Sequence, residues 1–184
     1  MQKPRNRISG IVMSGVFAAL VFAASWLRIP VPTPLGNTRI HLGNVLCLLS
    51  GFVLGPLRGG MAAGLGSMLY DFTDPVFLIY APFTLIEKFI MGWLCGLIGS
   101  RVRAPASADA AFKFTAAIAG QGMYIVLYLT QCYMEDVWVK LVDPKAAWAD
   151  IAVRAPVSLI NGFLSVAVAV PLALTLQRAL KGKI

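Results

Sequence analysis

Gly36-Asn37-Thr38-Arg39-Ile40-His41-Leu42-Gly43-Asn44 gathers the only histidine of the chain, one arginine and two asparagines within nine residues, between two apolar runs. These side chains carry charge and donate or accept hydrogen bonds. Next to lipid they find no such partners, so they must pair with protein, water or a ligand. The chemistry they offer is recognition of a small polar molecule. The Asn44 amide suits a ring's donors and acceptors, and Arg39 and His41 suit an anionic or carbonyl edge. Arg39 fits an interfacial anchor equally well, and His41 a cap on the helix that follows.

A later run repeats the theme. Gln121, Tyr124, Tyr128 and Gln131 recur at intervals of 3, 4 and 3, which puts polar tips on one helical face. That face reads either as a ligand-facing wall or as interhelical hydrogen bonding. Asn161 lies one turn inside the last apolar run, Tyr80 and Trp138 offer stacking surfaces, and Asp71 or Asp74 would face amines.

Enzyme chemistry is disfavoured. Intramembrane catalysis needs clustered carboxylates, a His-rich metal set, or a nucleophile with its base. One histidine and one mid-span acid, Glu87, supply none of these. Cys47, Cys95 and Cys132 fall in three different apolar segments without metal-ligand spacing and read as small buried side chains. The glycines of Gly55-Pro56-Leu57-Arg58-Gly59-Gly60 lack the Lys-Ser/Thr of a phosphate loop and the strand before it. No metal and no cofactor are expected.

The elements that position these groups are membrane spans. The chain has 184 residues, 58% hydrophobic and 13% charged, about half the usual charged share of a soluble domain. At about 20 residues per span the length holds about six. They are placed at 8–27, 42–54, 59–72, 77–98, 111–134 and 156–176, giving an all-α, integral membrane six-helix bundle and a single transmembrane domain. The basic start with its long apolar run is a retained first helix, since no clear cleavage site follows it.

The net charge of +8 marks membrane edges and forms no nucleic-acid face. Lys3, Arg5, Arg7, Arg58, Arg101, Arg103, Lys113, Arg178, Lys181 and Lys183 share one side if the spans alternate. Arg28, Arg39, Lys140 and Lys145 share the other with most of the acids. The positive-inside rule then puts both termini in the cytoplasm.

Between the first two spans Pro30, Pro32 and Pro34 forbid helix, and Gly36-Asn37 signals a turn. The second and third spans are short, which suits a bundle whose outer half is opened by a cavity and capped by loops. Asp143-Pro144 reads as an N-cap and first-turn proline of a short surface helix carrying Trp148, ahead of a sixth span starting at Pro156. Glu87-Lys88 sits near the middle of the fourth span, and each needs a partner of its own. Gly15, Ala19 and Ala23 form a small-residue stripe on the first helix, suited to close approach by a partner helix or to packing within the bundle.

Ile40-His41-Leu42-Gly43-Asn44, Leu54-Gly55-Pro56-Leu57-Arg58-Gly59-Gly60, Gly64-Leu65-Gly66-Ser67 and Tyr80-Ala81-Pro82-Phe83-Thr84-Leu85-Ile86-Glu87-Lys88, followed by Gly92 and Gly96, form an ordered series. In it the chain resembles the substrate-binding S component of an energy-coupling factor (ECF) vitamin importer, most closely the riboflavin/hydroxymethylpyrimidine-transporter-like group. The resemblance implies a six-helix monomer in a prokaryotic plasma membrane, partnered by a transmembrane coupling protein and two ATPase subunits. It also implies capture of a vitamin-type ligand from outside and release inside by toppling in the lipid. By the same resemblance Ala19 and Ala23, extended by Gly15, take the partner-docking role. Rival readings are a stand-alone transporter or channel, which would need a continuous polar path, an intramembrane enzyme, and a scaffold subunit.

Overall fold

In a computed structural model the chain is described over residues 7–101 and 106–180. Lys3, Arg5, Arg103, Lys181 and Lys183 of the basic side lie outside these residues. Six helices follow in chain order: α1 Arg7–Ser25, α2 Gly43–Leu54, α3 Pro56–Asp71, α4 Ala81–Arg101, α5 Ala106–Met134 and α6 Pro144–Leu180. A 3-10 turn at Leu78–Tyr80 leads into α4, and a π turn at Glu135–Val139 extends α5.

The helices alternate in direction. A Cβ on Gly66 of α3 would meet the Ala18 carbonyl of α1, and one on Gly10 of α1 would meet Arg58 of α3, so these two run parallel. Gly60 faces Phe89 while Gly64 faces Leu85, so α3 and α4 run antiparallel. The approach is close because side chains are missing where backbones meet. A Cβ on Gly51 would lie 2.5 Å from the Gly92 carbonyl oxygen. Gly55 makes the α2–α3 turn at φ 79°, a region glycine enters without strain, and Pro56 opens α3 where its lost N–H goes unmissed.

The chain departs from an all-α bundle at one place. Residues 28–41 form an antiparallel hairpin of β1 Arg28–Thr33 and β2 Gly36–His41. Its two-residue turn is Pro34-Leu35, and the expected turn residues Gly36-Asn37 instead begin β2. Proline presets the φ that a first central turn position needs. Pro30 and Pro32 fit β1 because each strand of a two-stranded sheet keeps a free edge.

α6 is one helix with Pro156 and Pro171 inside it, so the surface helix expected at 144–150 and the sixth span are continuous. Asp143 caps it as expected: Lys145 N–H donates to Asp143 Oδ1 at 2.8 Å. Trp148 is exposed and packs on Tyr133, ring centres 5.1 Å apart.

α1, α4 (with the 3-10 turn), α5 and α6 are long and apolar enough to cross a membrane. α2, with 12 residues, rises only about 18 Å, well short of a hydrocarbon core of about 30 Å. The depth it leaves, at the end where β2 feeds into it, is roofed by the hairpin. At the opposite end the centre is solid, with Leu48, Met91, Cys95, Ala116, Ala117 and Val170 buried together. Gly15, Ala19 and Ala23 lie on the exposed face of α1, and a Cβ on Gly15 would meet nothing within 4 Å. The described bundle therefore packs no helix on the stripe.

Candidate functional site

Beneath the hairpin lies a cavity of about 240 Å³. β2 roofs it, α4, α5 and α6 supply most of its walls, and Ser25 of α1 and Ser67 and Tyr70 of α3 complete the lining. Of the residues expected to contact a ligand, Arg39, His41, Tyr80, Tyr124, Tyr128, Gln131 and Asn161 line it together.

Two ion pairs fasten the hairpin to the end of α3. Arg39 Nη2 donates to Asp71 Oδ1 at 2.5 Å, and Arg28 pairs with Asp74. The Arg39 guanidinium also lies 3.8 Å from the Phe77 ring centre and 4.9 Å from that of Tyr70. Its charge is thus matched and its plane covered by aromatic faces. Asp71 is buried as the partner of Arg39 and does not line the cavity.

His41 ties β2 to α2 and α6. Its Nδ1 accepts the Gly43 N–H at 3.2 Å, and its backbone N–H donates to Asn161 Oδ1 at 3.4 Å. Burial, reinforced by the charges of Lys88, Arg39 and Arg28, pushes its pKa well below the ordinary value, so the ring is neutral.

The hairpin tip is held by α6. Asp150 Oδ1 accepts the Leu35 N–H at 2.9 Å, and Asp150 pairs with Arg154 one turn along. Arg154 donates from Nη1 to the Asn37 carbonyl at 3.2 Å and to Tyr128 Oη at 3.0 Å, and from Nη2 to Thr33 Oγ1 at 3.3 Å. The Tyr128 hydroxyl lies 3.1 Å from Thr38 Oγ1, and its ring stacks on Tyr124 at 5.9 Å. Across the mouth, Tyr80 donates to Glu135 Oε1 at 2.5 Å, and Lys140 bridges Glu135 and Asp136 at 2.8 Å each.

Three further expected residues stand away from the lining. Asn44 is fully buried at the head of α2, where its Oδ1 accepts a hydrogen bond from Lys88 and its Nδ2 has no partner among the described residues. Gln121 is buried a turn beyond Tyr124, with both amide atoms unpartnered among the described residues. Trp138, in the π turn, points outward and is 69% exposed.

Arg154 is missing from the residues the sequence points to, because a span starting at Pro156 leaves it in a loop. The signal present was Asp150 and Arg154 four residues apart, a spacing that pairs charges on one helical face. Glu87 and Lys88, singled out but given no role, both line the cavity. Among the described residues no cluster of His, Cys, Asp and Glu has the makings of a metal site.

Several known proteins are similar to this chain. A solved structure described as "Structure and mechanism of the S component of a bacterial ECF transporter" shares its fold with a TM-score of 0.67, at 17% identity, over 96% of this chain and 99% of that one. An uncharacterised protein of Pyrococcus woesei is 34% identical over 79 residues, 41% of this chain and 51% of that protein. The UPF0397 protein YdcD of Lactococcus lactis is 35% identical over 94 residues, 51% of this chain and 46% of that protein. The chain thus spans about half the length of these two curated relatives. The family profile for "ECF-type riboflavin transporter, S component" matches residues 5–178. With that match over nearly its whole length and its several apolar helices, the chain is a multi-pass membrane protein and belongs to the family of ECF-type riboflavin transporter S components.

Proposed function

We propose that this chain is the substrate-binding S subunit of an ECF-type importer for a water-soluble vitamin or vitamin precursor of riboflavin, pyridoxine or pyrimidine type. The observation that carries the reading is a cavity of mostly apolar wall set with polar side chains, ending blind on an apolar core. Leu48, Met91 and Cys95 block the way beyond its floor. A blind chamber offers capture without passage, so delivery requires the whole protein to move, as toppling in the bilayer supplies. Energy is assigned to a coupling protein and two ATPase subunits. Both termini are assigned to the cytoplasm of a prokaryotic plasma membrane, with the hairpin outside. Gly15, Ala19 and Ala23 are assigned to docking with the coupling protein.

Within the cavity Arg39, Asn161, Tyr124, Tyr128 and Gln131 contact the vitamin, with Tyr80 and His41 holding the rim. Asn44, Asp71 and Gln121 act from behind, by orienting Lys88, Arg39 and the α5–α6 contact. Native mass spectrometry of the protein extracted in mild detergent tests this. One small molecule per chain is expected, with Asn161→Ala and Gln131→Ala each lowering occupancy about tenfold. Wild type carrying no small molecule after exposure to a bacterial metabolite extract would overturn the reading.

A further inference from the structure

The charges around the cavity are matched with two exceptions. Arg28, Arg39, Lys140 and Arg154 each meet a carboxylate. Among the described residues Lys88 has no carboxylate, and Glu87 no cation, within ion-pair distance, although they are only 7% and 3% exposed. Thr84, Glu87 and Lys88 lie at i, i+3 and i+4 on α4, so one helical face turns all three toward the cavity they line. Lys88 is oriented by a single hydrogen bond to Asn44 Oδ1 and by the Tyr124 ring beneath its ammonium. Glu87 makes no hydrogen bond to protein among the described residues. A buried charge left this way is costly unless something completes it, and both side chains line the cavity.

The charge count narrows what completes it. Arg39, Lys88, Lys140 and Arg154 face Glu87 and Glu135 and the paired Asp71, Asp136 and Asp150, which is four cations against five carboxylates. There is no surplus positive charge to hold a phosphate, which is recognised by several free cationic donors.

We propose that Glu87 and Lys88 together read one edge of the captured molecule: Glu87 accepts a hydrogen bond from its N–H or O–H, and Lys88 donates to the adjacent carbonyl or ring nitrogen. The site therefore selects a neutral, unphosphorylated heterocycle that presents a donor beside an acceptor. This deepens the importer reading and rests on it. A molecule lacking either partner leaves a buried charge unsatisfied, which lowers affinity tenfold or more per group.

The probe is a protein-free extract of bacterial small metabolites, presented to detergent-purified wild type, Glu87→Gln and Lys88→Met, with the retained mass read by native mass spectrometry. Wild type is expected to retain a compound without phosphate, and each variant to lose at least tenfold in occupancy. A wild type that retains a phosphorylated compound, or a variant that retains the same compound undiminished, overturns this inference and leaves the importer reading standing. A wild type that retains nothing overturns both. Should either variant fail to fold, labelling of Glu87 by dicyclohexylcarbodiimide in wild type replaces it. The extract is expected to suppress labelling at least tenfold, whereas equal labelling with and without it shows Glu87 away from the bound molecule and removes the claim.

Discussion

The Lys88 ammonium lies 3.3 Å from the centre of the Tyr124 ring. This contact joins α4 to α5 across the cavity floor, with Lys88 only 3% exposed, and a desolvated cation–π pair is worth about 2 kcal/mol. Tyr124→Phe keeps the ring and is expected to leave thermal stability in detergent within about 0.5 kcal/mol of wild type. Tyr124→Leu removes the ring and is expected to cost about 2 kcal/mol. Equal unfolding temperatures for the two variants would show that the contact contributes nothing.

Arg154 joins α6 to Asn37, Thr33 and Tyr128 while paired with Asp150. Removing one partner of a buried pair costs about 3–5 kcal/mol, because the other charge stays behind. Arg154→Ala should therefore destabilise the protein by that amount and free the hairpin tip. Hydrogen exchange is expected to rise at Leu35, whose N–H is held by Asp150, and to stay slow at Leu48 in the core. Unchanged exchange at Leu35 would refute the latch.

The same glycine-to-alanine change has opposite expectations at two positions. Gly51→Ala drives a methyl into the Gly92 carbonyl and should cost about 1–3 kcal/mol by overpacking. Gly15→Ala meets nothing and should change stability by less than about 0.5 kcal/mol. Ala19→Trp, on the same exposed face as Gly15, should likewise leave folding and ligand capture intact while abolishing uptake. Normal uptake by that variant would remove the docking role from the stripe.

His41 sets the acid limit. Its native pKa lies below the unfolded value of about 6.5, chiefly through burial, so the unfolded chain binds the extra proton first. The stability it contributes is complete above about pH 6.5 and is lost progressively as pH falls below it. Protonation also removes the Nδ1 lone pair that accepts the Gly43 N–H. Unfolding free energy measured from pH 8 to 5 should be level at first and then decline, and His41→Asn should flatten the decline. An equal slope in both proteins would exclude His41 as its source.

The helices, their alternation and the polar end were legible because hydropathy and turn residues act locally. Arg39, Tyr124, Tyr128, Gln131 and Asn161 share the cavity because each sits at the same end of its own element, which span counting alone predicts. The hairpin was not legible: Pro30, Pro32 and Pro34 exclude helix, but only pairing with Asn37 and Arg39 makes a sheet, and such pairing is tertiary. Asn44, polar and near the rim, is expected from sequence to face a ligand. On the helix it points to Lys88, which needed the acceptor more. Arg154 was hidden by Pro156, a residue α6 absorbs without ending.

The central claim is that the chain captures a solute in a blind cavity and depends on other subunits to deliver it. The direct measurement is uptake of the compound found by native mass spectrometry, radiolabelled, into cells expressing the chain with or without an ECF coupling protein and its two ATPases. Uptake above background is predicted only when all four components are present, and is expected to stop when the ATPases are inactivated. Uptake at the same rate by the chain alone would contradict the account.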